Sequence, residues 1–320
     1  MADAYICGET LDDAMRGAIQ EIFAHGNRIE PRKGPATELT GVLLEVTNPR
    51  ARLSRTETRG KPYSCLAELC WYLAKSNDLE FISYYLPAYK EYADNGVIYG
   101  AYGPRLFIWR GLNQLANVTD VLRERRDSRQ AVIQLFDAQD IVEEHKNVPC
   151  TCTLQFMLRR DRLHMLTNMR SNDAFRGLPH DVFCFTMLQE IVARHVSVEL
   201  GTYKHAVGSL HLYDKNSDAA RRFLNEGWQS TQTPMPPMPS GDPSPCIALL
   251  LDAELAIRTT GAFDNARLCH VDPYWADLIR LLQVFGCKKH EDWDTIKTLR
   301  ENMFSDVYFP FIDNLLNQAP

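Results

Sequence analysis

Hydrophobic residues in the first part of the chain follow a helical and then a strand-like spacing. Apolar side chains recur at helical intervals from Leu11 to Ala24, which predicts an amphipathic first helix. The run from Thr40 to Val46 is rich in β-branched and aliphatic residues, which predicts a strand that ends at the turn Asn48-Pro49. From Ser64 to Leu73 the apolar residues are continuous, so we expect a buried helix with Glu68 inside it.

The central part of the chain alternates between predicted helices and strands. The stretch from Tyr84 to Tyr102 is rich in tyrosine and interrupted by glycine, which suits a cleft wall or a loop over a ligand. The apolar runs that follow it predict two helices and three strands. The helices are Leu106 to Arg123 and Asp181 to Arg194, and the strands are Ala131 to Phe136, Thr153 to Leu158 and Ala206 to Tyr213.

The C-terminal part of the chain is predicted to be helical beyond a loop. A polar helix is expected after Tyr213. Residues 233–245 contain too many prolines for regular structure, so they predict a long loop or linker. The remaining stretch, Ile247 to Leu316, has the pattern of a wholly helical region.

Composition and charge favour a globular protein that binds a small anion. Of the 320 residues 45% are hydrophobic and 24% are charged, an ordinary balance for a folded protein. The formal net charge of −6 argues against a general nucleic-acid surface, so a bound anion is expected to meet a local cluster of arginines. The sequence contains no internal repeat, P-loop or dinucleotide-binding fingerprint.

The nine cysteines point to a reducing compartment. Their number is odd, their surroundings are apolar and no signal-peptide pattern precedes them, so we expect a cytoplasmic protein. No apolar run reaches the ~20 residues that a membrane span needs. The pair Cys150-x-Cys152 lacks a second pair at metal-ligand spacing, so no metal is expected.

The strongest chemical signal is an ordered set of short motifs. Pro149-Cys150 taken alone is more typical of a buried structural thiol. It is followed at fixed distances by Arg170-Ser171, Asp173, Gly177-Leu178-Pro179 and Asp181, and later by the segment Gly208 to Tyr213. This set resembles the active-site core of the thymidylate synthase family, in which Pro-Cys supplies the nucleophile and a later His-x-Tyr follows.

The resemblance implies a fold, a cosubstrate and an assembly. The expected fold is a three-layer α/β (α+β) arrangement with a large β-sheet at a homodimer interface. The helical C-terminal region predicted from the sequence pattern departs from the family, whose members normally end in a short tail that folds over the folate. Residues 1–320 would form a single domain with its core at about 30–215. The implied ligands are a pyrimidine nucleoside monophosphate and 5,10-methylenetetrahydrofolate, with no role for nucleic acid or membrane.

The resemblance also assigns roles to individual residues. A pyrimidine C5 becomes nucleophilic when a thiolate adds at C6, which would be the work of Cys150 with arginines such as Arg170 favouring its thiolate. Glu68 resembles the catalytic glutamate, with a pKa raised by burial. Tyr102 resembles an active-site tyrosine. The implied phosphate ligands are Arg32, Arg170, Ser171 and the partner's Arg129, the sugar ligands are His211 and Tyr213, and the folate ligands are Asp173, Tyr89 and Gly177.

Two positions depart from the family pattern. Gln130 stands where the family commonly has a second arginine after the counterpart of Arg129. Asp181 stands where the uracil-specific members have asparagine. Cytosine offers an N3 acceptor and an N4 donor, which a carboxyl group sharing a proton can satisfy, whereas an ionised carboxylate opposes uracil O4.

Asp181 therefore predicts a cytosine nucleotide. In this respect the chain resembles the cytidylate 5-hydroxymethylases of the family, which carry the same aspartate, and the resemblance implies that water adds to the methylene intermediate. Three alternatives stay open: Asp181 as a helix cap, a thymidylate synthase or dUMP hydroxymethylase, and a non-catalytic nucleotide-binding protein. The sugar is open too. The excess of arginine over lysine slightly favours CMP and antibiotic biosynthesis over dCMP and phage DNA modification.

Overall fold

Seven strands form one mixed β-sheet in the structure, a computed structural model that describes residues 5–54, 62–226 and 234–319. The order across the sheet is β1-β3-β7-β6-β5-β4, with β2 paired to β3 at its side. The strands are β1 (Tyr5–Gly8), β2 (Asn27–Ile29), β3 (Ala36–Val46), β4 (Val132–Gln134), β5 (Thr151–Arg159), β6 (Arg162–Asp173) and β7 (Glu199–Tyr213).

The centre of the sheet is built from three long strands. Strand β7 pairs antiparallel with β3 and parallel with β6. Strands β5 and β6 form a hairpin whose turn residues, Arg160 and Asp161, both have positive φ, as a type I′ turn requires. Strand β6 is missing from the predicted elements, although Leu163, Met165 and Met169 on it alternate with more exposed residues.

Helices cover one face of the sheet in two layers. Helix α6 packs under β6 and β7, and α2 packs against α6 on the side away from the sheet. Every residue of α2 is buried, as the continuous apolar run predicts. The helices are α1 (Leu11–His25), α2 (Pro62–Leu73), α3 (Leu79–Tyr85), α4 (Tyr102–Phe107), α5 (Gln114–Glu124), α6 (Leu178–His195), α7 (Ser217–Asn225), α8 (Ser244–Thr260), α9 (Pro273–Lys289), α10 (Trp293–Glu301) and α11 (Phe309–Leu316).

Two predicted elements differ in their extent from the observed ones. The helix expected from Leu106 to Arg123 is interrupted between α4 and α5 by a turn in which Arg110 and Gly111 have positive φ. Such a backbone conformation cannot continue a right-handed helix. The strand expected from Ala131 to Phe136 is reduced to the three residues of β4.

The C-terminal region adds a further helical layer. Helices α8 and α9 pack against α2, so α2 lies between α6 and the C-terminal helices. The region is less continuous than predicted from Ile247 onward, since short connections separate its four helices. Within the predicted loop 233–245, residues 234–243 lack regular structure and α8 begins at Ser244, while Thr233 lies outside the described residues.

The proline-rich loop is tied to the core by Glu190 on α6. The amide of Met238 donates to Glu190 Oε1 at 2.9 Å, and the Met238 side chain is buried. The other oxygen, Oε2, accepts from the guanidinium of Arg52, and both side chains of this ion pair are 0% exposed. One carboxylate therefore joins the loop, α6 and the segment after β3.

The second face of the sheet is more open than the first. Outward residues of the central strands, such as Gln155, Met157, His164 and Asn168, are half-buried. The homodimer expected across this sheet remains a prediction. In the described parts of the chain, no helix is both long and apolar enough to cross a membrane.

We expect Glu190→Gln to lower the free energy of unfolding by about 3–5 kcal/mol, because it leaves the Arg52 guanidinium buried without a counter-charge. Urea unfolding monitored by circular dichroism measures the change. The control is Glu199→Gln, which removes an exposed carboxylate 3.7 Å from Arg194 and should cost less than about 1 kcal/mol. Equal losses in the two variants would contradict the importance of the buried pair.

Candidate active site

Cys150 lies immediately before β5 and is held there by Arg170 on the neighbouring strand β6. The Arg170 guanidinium donates to the carbonyl of Pro149 at 2.9 Å and to that of Val148 at 3.2 Å. Its Nη2 lies 3.6 Å from Cys150 Sγ. The structure thus brings together the two residues that the motif spacing joins, and one guanidinium both shapes the loop and faces the thiol.

Burial raises the pKa of the Cys150 thiol, although the positive charges of Arg170 and Lys33 act in the opposite direction. Arg170 therefore favours the Cys150 thiolate, as predicted, but the net shift of the Cys150 pKa is upward. Desolvation of the sulfur raises the pKa by more than the two cations lower it. The proximity of Lys33 adds a second cation that the motif comparison did not single out.

Tyr102 positions the backbone that follows Cys150. Its hydroxyl oxygen accepts from the amide of Thr151 at 3.1 Å and lies 2.9 Å from Thr151 Oγ1. The ring is buried at the start of α4. Tyr102 therefore contacts the residue next to Cys150, where a shift of the hydroxyl would move the thiol.

Asp181 is buried in the first turn of α6 and paired with Asn172. Asn172 Nδ2 donates to Asp181 Oδ2 at 2.7 Å. The helix-cap alternative is wrong for this residue, because Gly177 is the N-cap of α6 and no side chain caps that end. The carboxyl group of Asp181 accepts from the Asn172 side chain and does not cap the backbone amides at the start of α6.

Burial, together with the nearby charge of Glu68, raises the pKa of Asp181 to about 8. The Asp181 carboxyl is therefore mostly protonated at neutral pH. A neutral carboxyl presents one donor and one acceptor. The sequence-based prediction against uracil assumed an ionised carboxylate with two acceptors, so it does not apply to the protonated form. The charge of Asp181, when it is ionised, also raises the pKa of Cys150.

Glu68 on α2 is buried among three hydrogen-bond partners. Tyr89 donates to Glu68 Oε1 at 2.6 Å and Tyr72 donates to the same oxygen at 3.0 Å. His180 Nδ1 lies 2.7 Å from Oε2. Burial alone raises the pKa of Glu68, but the hydrogen bond and charge of His180 and the two tyrosine hydroxyls outweigh it, so the pKa is lowered. The predicted upward shift is wrong for this reason.

His180 is the main residue that the sequence reasoning missed. Its pKa is raised: burial lowers it, but Cys65 and Glu68 raise it by more. At neutral pH the pair is thus an imidazolium facing a carboxylate. The sequence signal that could have identified it is its position directly before Asp181, in the first turn of α6, the helix that packs against α2.

The predicted sugar and phosphate ligands lie on neighbouring strands and loops. His211 and Tyr213 share a face of β7, with ring centroids 4.8 Å apart. Ser171 on β6 pairs with Ser209 on β7. Arg32 is exposed in the loop before β3, where its Nη2 donates to the carbonyl of Lys146 at 2.7 Å.

Arg129 lies apart from these residues, exposed in the segment before the edge strand β4. Its carbonyl accepts from Gln155 Nε2 at 3.1 Å. Gln130 beside it is also exposed. The contact of Arg129 with a phosphate in the partner's site stays a prediction.

The predicted folate ligands already have structural partners. Asp173 Oδ1 accepts from the amides of Phe175 and Arg176, which shapes the turn from β6 to α6. A Cβ on Gly177 would lie 3.0 Å from Asn172 Nδ2. Tyr89, besides its bond to Glu68, packs edge-on against Tyr92 with centroids 5.9 Å apart. Among the described residues, no cluster of histidine, cysteine and carboxylate side chains could hold a metal ion.

Comparison with known proteins gives a family and several relatives. The profile of the family described as "Thymidylate synthase" matches residues 15–238. The chain is similar to a "Deoxyuridylate hydroxymethyltransferase" of Pseudomonas phage M6, 31% identical over 214 residues that cover 64% of this chain and 60% of the relative. Proteins of the same description from Delftia phage PhiW-14 and Bacillus phage SP01 are each 30% identical, over 65% and 61% of this chain. The matched region spans 60% and 55% of those two relatives.

We expect His180→Gln to raise the pKa of Glu68, because it removes the positive charge that opposes the effect of burial. An NMR titration of the ¹³C-labelled glutamate carboxyls measures this shift directly. His195→Gln, at the far end of the same helix and 3.5 Å from Asp242, should leave the Glu68 titration unchanged. A Glu68 pKa that stays the same in His180→Gln would mean that the tyrosine hydroxyls, and not His180, hold the carboxylate ionised.

Proposed function

This chain belongs to the thymidylate synthase family, and on that premise we propose that it transfers a one-carbon unit to C5 of a pyrimidine nucleoside monophosphate as a hydroxymethyl group. One observation carries the proposal. Asp181 links a thiol to a second acid: the charge of Glu68 raises the pKa of Asp181 and the charge of Asp181 raises the pKa of Cys150, which suits a covalent reaction with internal proton transfer.

Cys150 is the proposed nucleophile. Its thiolate adds at C6 of the pyrimidine, which makes C5 electron-rich enough to accept the one-carbon unit. Arg170, 3.6 Å from the sulfur, stabilises the thiolate form, and Tyr102 holds the adjoining backbone. Because the pKa of the thiol is raised in the free protein, we expect only a minor thiolate fraction before the nucleotide binds.

Glu68 and His180 form the proposed proton-transfer pair. The carboxylate is fixed by two tyrosine hydroxyls on one oxygen and by His180 on the other, so it cannot turn away from the site. A carboxylate and an imidazolium at 2.7 Å can hold or release a proton together. We propose that this pair orients the water that completes the hydroxymethyl group.

A cytosine base is the first candidate. Asp181 in its protonated form can donate its O–H to N3 and accept from the N4 amino group, so both polar atoms of the base are satisfied. Buried polar groups left unpaired cost roughly 1–3 kcal/mol each, enough to discriminate between bases.

A uracil base is the second candidate, and two observations favour it. The three relatives are described as deoxyuridylate hydroxymethyltransferases. A neutral carboxyl with the opposite arrangement of its proton could also accept from uracil N3–H and donate to O4. The competition assay described below also distinguishes ribose from deoxyribose. A product from CMP favours antibiotic biosynthesis as the setting, and one from dCMP favours phage DNA modification.

5,10-Methylenetetrahydrofolate is the proposed source of the one-carbon unit. The residues at hand suit a flat heterocycle, because the half-buried ring of Tyr89 stands next to Glu68 and packs against the half-buried ring of Tyr92. Asp173, Tyr89 and Gly177 would hold it. Arg32, Arg170 and Ser171 would hold the nucleotide phosphate, joined by Arg129 of the partner subunit in a homodimer, while His211 and Tyr213 hold the sugar.

A competition assay tests the proposal. CMP, dCMP, UMP and dUMP are supplied together with methylenetetrahydrofolate, and products are resolved by mass spectrometry. A hydroxymethyl product on a cytidylate supports the first candidate and one on a uridylate supports the second. A methyl product would identify a thymidylate synthase reaction, and no product would favour a nucleotide-binding protein without catalysis.

We expect Cys150→Ser to lower kcat about 10³-fold or more while nucleotide binding persists, because the hydroxyl is a far weaker nucleophile than the thiolate. Turnover and isothermal titration with the nucleotide measure the two quantities. Cys152→Ser is the matched control, since Cys152 is a half-buried cysteine two residues further along the chain, on β5. Unchanged turnover in Cys150→Ser would rule out covalent catalysis by this residue.

We expect Asp181→Asn, introduced together with Asn172→Leu, to shift the preference from cytidylate towards uridylate by about tenfold or more. An amide that no longer accepts from Asn172 can turn its oxygen to uracil N3–H and its nitrogen to O4. The ratio of kcat/KM values for the two nucleotides measures this shift. Asp173→Asn controls for the loss of a nearby carboxylate. A preference that stays the same in the double variant would show that another group reads the base.

A further inference from the structure

Behind Asp181, three buried polar side chains form a continuous hydrogen-bonded chain. Tyr203 and His205 lie on β7, and their hydroxyl and Nδ1 atoms are 2.7 Å apart. His205 Nε2 lies 3.1 Å from Asn172 Oδ1 on β6, and Asn172 Nδ2 donates to Asp181 Oδ2 at 2.7 Å. The exposed fractions of Tyr203, His205 and Asn172 are 0%, 1% and 3%.

The chain has one direction of donation. The amide oxygen of Asn172 has no proton to give, so His205 Nε2 must carry the proton between them. Burial lowers the pKa of His205 to about 3, so the ring is neutral and its Nδ1 is an acceptor. Tyr203 therefore donates to His205, His205 donates to Asn172, and Asn172 donates to Asp181. The chain delivers a fixed donor to one oxygen of the carboxyl group.

The surrounding backbone preserves this arrangement. Gly177 approaches the amide so closely that a Cβ would lie 3.0 Å from Asn172 Nδ2. Strands β6 and β7 are paired in register at Asn172, opposite Leu210, which fixes the height of the amide on the sheet. A buried network of this kind costs stability unless every member is satisfied, and here each link ends in a partner that leads to Asp181.

We propose that the chain Tyr203–His205–Asn172 determines which base Asp181 accepts. The donor from Asn172 makes Oδ2 the acceptor of the carboxyl group and leaves Oδ1 as the oxygen that carries a proton. The proposed placement, with Oδ1 beside N3 and Oδ2 beside the exocyclic group, matches cytosine and opposes uracil. Tyr203, His205 and Asn172 are positioning residues, and the inference rests on the proposed function.

The uracil pattern would require the proton on Oδ2. A hydroxyl oxygen is a poorer acceptor than a carbonyl oxygen, so that state would weaken the bond from Asn172 at 2.7 Å. Turning the Asn172 amide so that its oxygen faces Asp181 would avoid this weakening only if the direction of donation at His205 and Tyr203 were also reversed. Discrimination is thus built into groups that never touch the nucleotide.

Two variants of the full-length protein test the inference. Tyr203→Phe removes only the hydroxyl that starts the chain, and Asn172→Leu removes the donor to Asp181 with little change in volume. Values of kcat/KM are measured separately for cytidylate and uridylate with the sugar that the wild-type protein accepts. We expect the cytidylate-to-uridylate ratio to fall about tenfold, equivalent to about 1.4 kcal/mol, in both variants.

Tyr308→Phe is the matched control. Tyr308 is a 1% exposed tyrosine whose hydroxyl has no hydrogen-bond partner among residues 5–54, 62–226 and 234–319, so the ratio should stay at the wild-type value. Should Asn172→Leu fail to fold, Tyr203→Phe decides the outcome by itself.

Three results would overturn the inference. Equal losses on both nucleotides, with an unchanged ratio, would show that the chain is only structural. A wild-type preference for uridylate would show that donor and acceptor stand in the opposite order. A wild-type protein inactive on every pyrimidine nucleotide would refute the proposed function itself, whereas an active wild type with unaltered variants refutes the inference alone.

Discussion

Two carboxyl groups buried within reach of each other's charge constrain the whole site. Glu68 and Asp181 lie on adjacent helices, and the charge of the first raises the pKa of the second. Both cannot be ionised cheaply in a poorly solvated space. The structure resolves the conflict by unequal partners, because Glu68 receives His180 and two tyrosine hydroxyls whereas Asp181 receives the neutral amide of Asn172. One acid is left charged and the other protonated.

The layered fold maintains this difference between the two acids. Helix α2, which carries Glu68, lies between α6 and the C-terminal helices, so water is excluded from it on both sides. The hairpin of β5 and β6 places Cys150 and Arg170 at one end of the sheet, and the following turn brings α6 with Asp181 over that end. Cys150, immediately before β5, and the helices that carry the two acids therefore meet at one end of the sheet.

The sequence predicted which residues lie close together better than it predicted their electrostatics. Motif spacing located Cys150, Arg170 and Asp181 because local turns and strand pairing preserve such distances. The lowered pKa of Glu68 could not be foreseen, since it depends on His180, which lies 112 residues further along the chain. The same limit applies to Asn172, whose role depends on His205 across a strand pair. Strand β6 escaped prediction because polar Thr167 and Asn172 take inward positions and Leu166 an outward one, which weakens the alternation.

The pairing of β3 with β7 has a consequence for how the protein comes into being. Ala36 stands opposite Tyr213, so the middle of the sheet joins an early segment of the chain to a late one. Contacts so distant in sequence carry a large loop-closure cost and are formed slowly. During synthesis on the ribosome, the edge of β3 that β7 covers must wait until the chain has been made as far as Tyr213, and for that interval it is open to pairing with other chains.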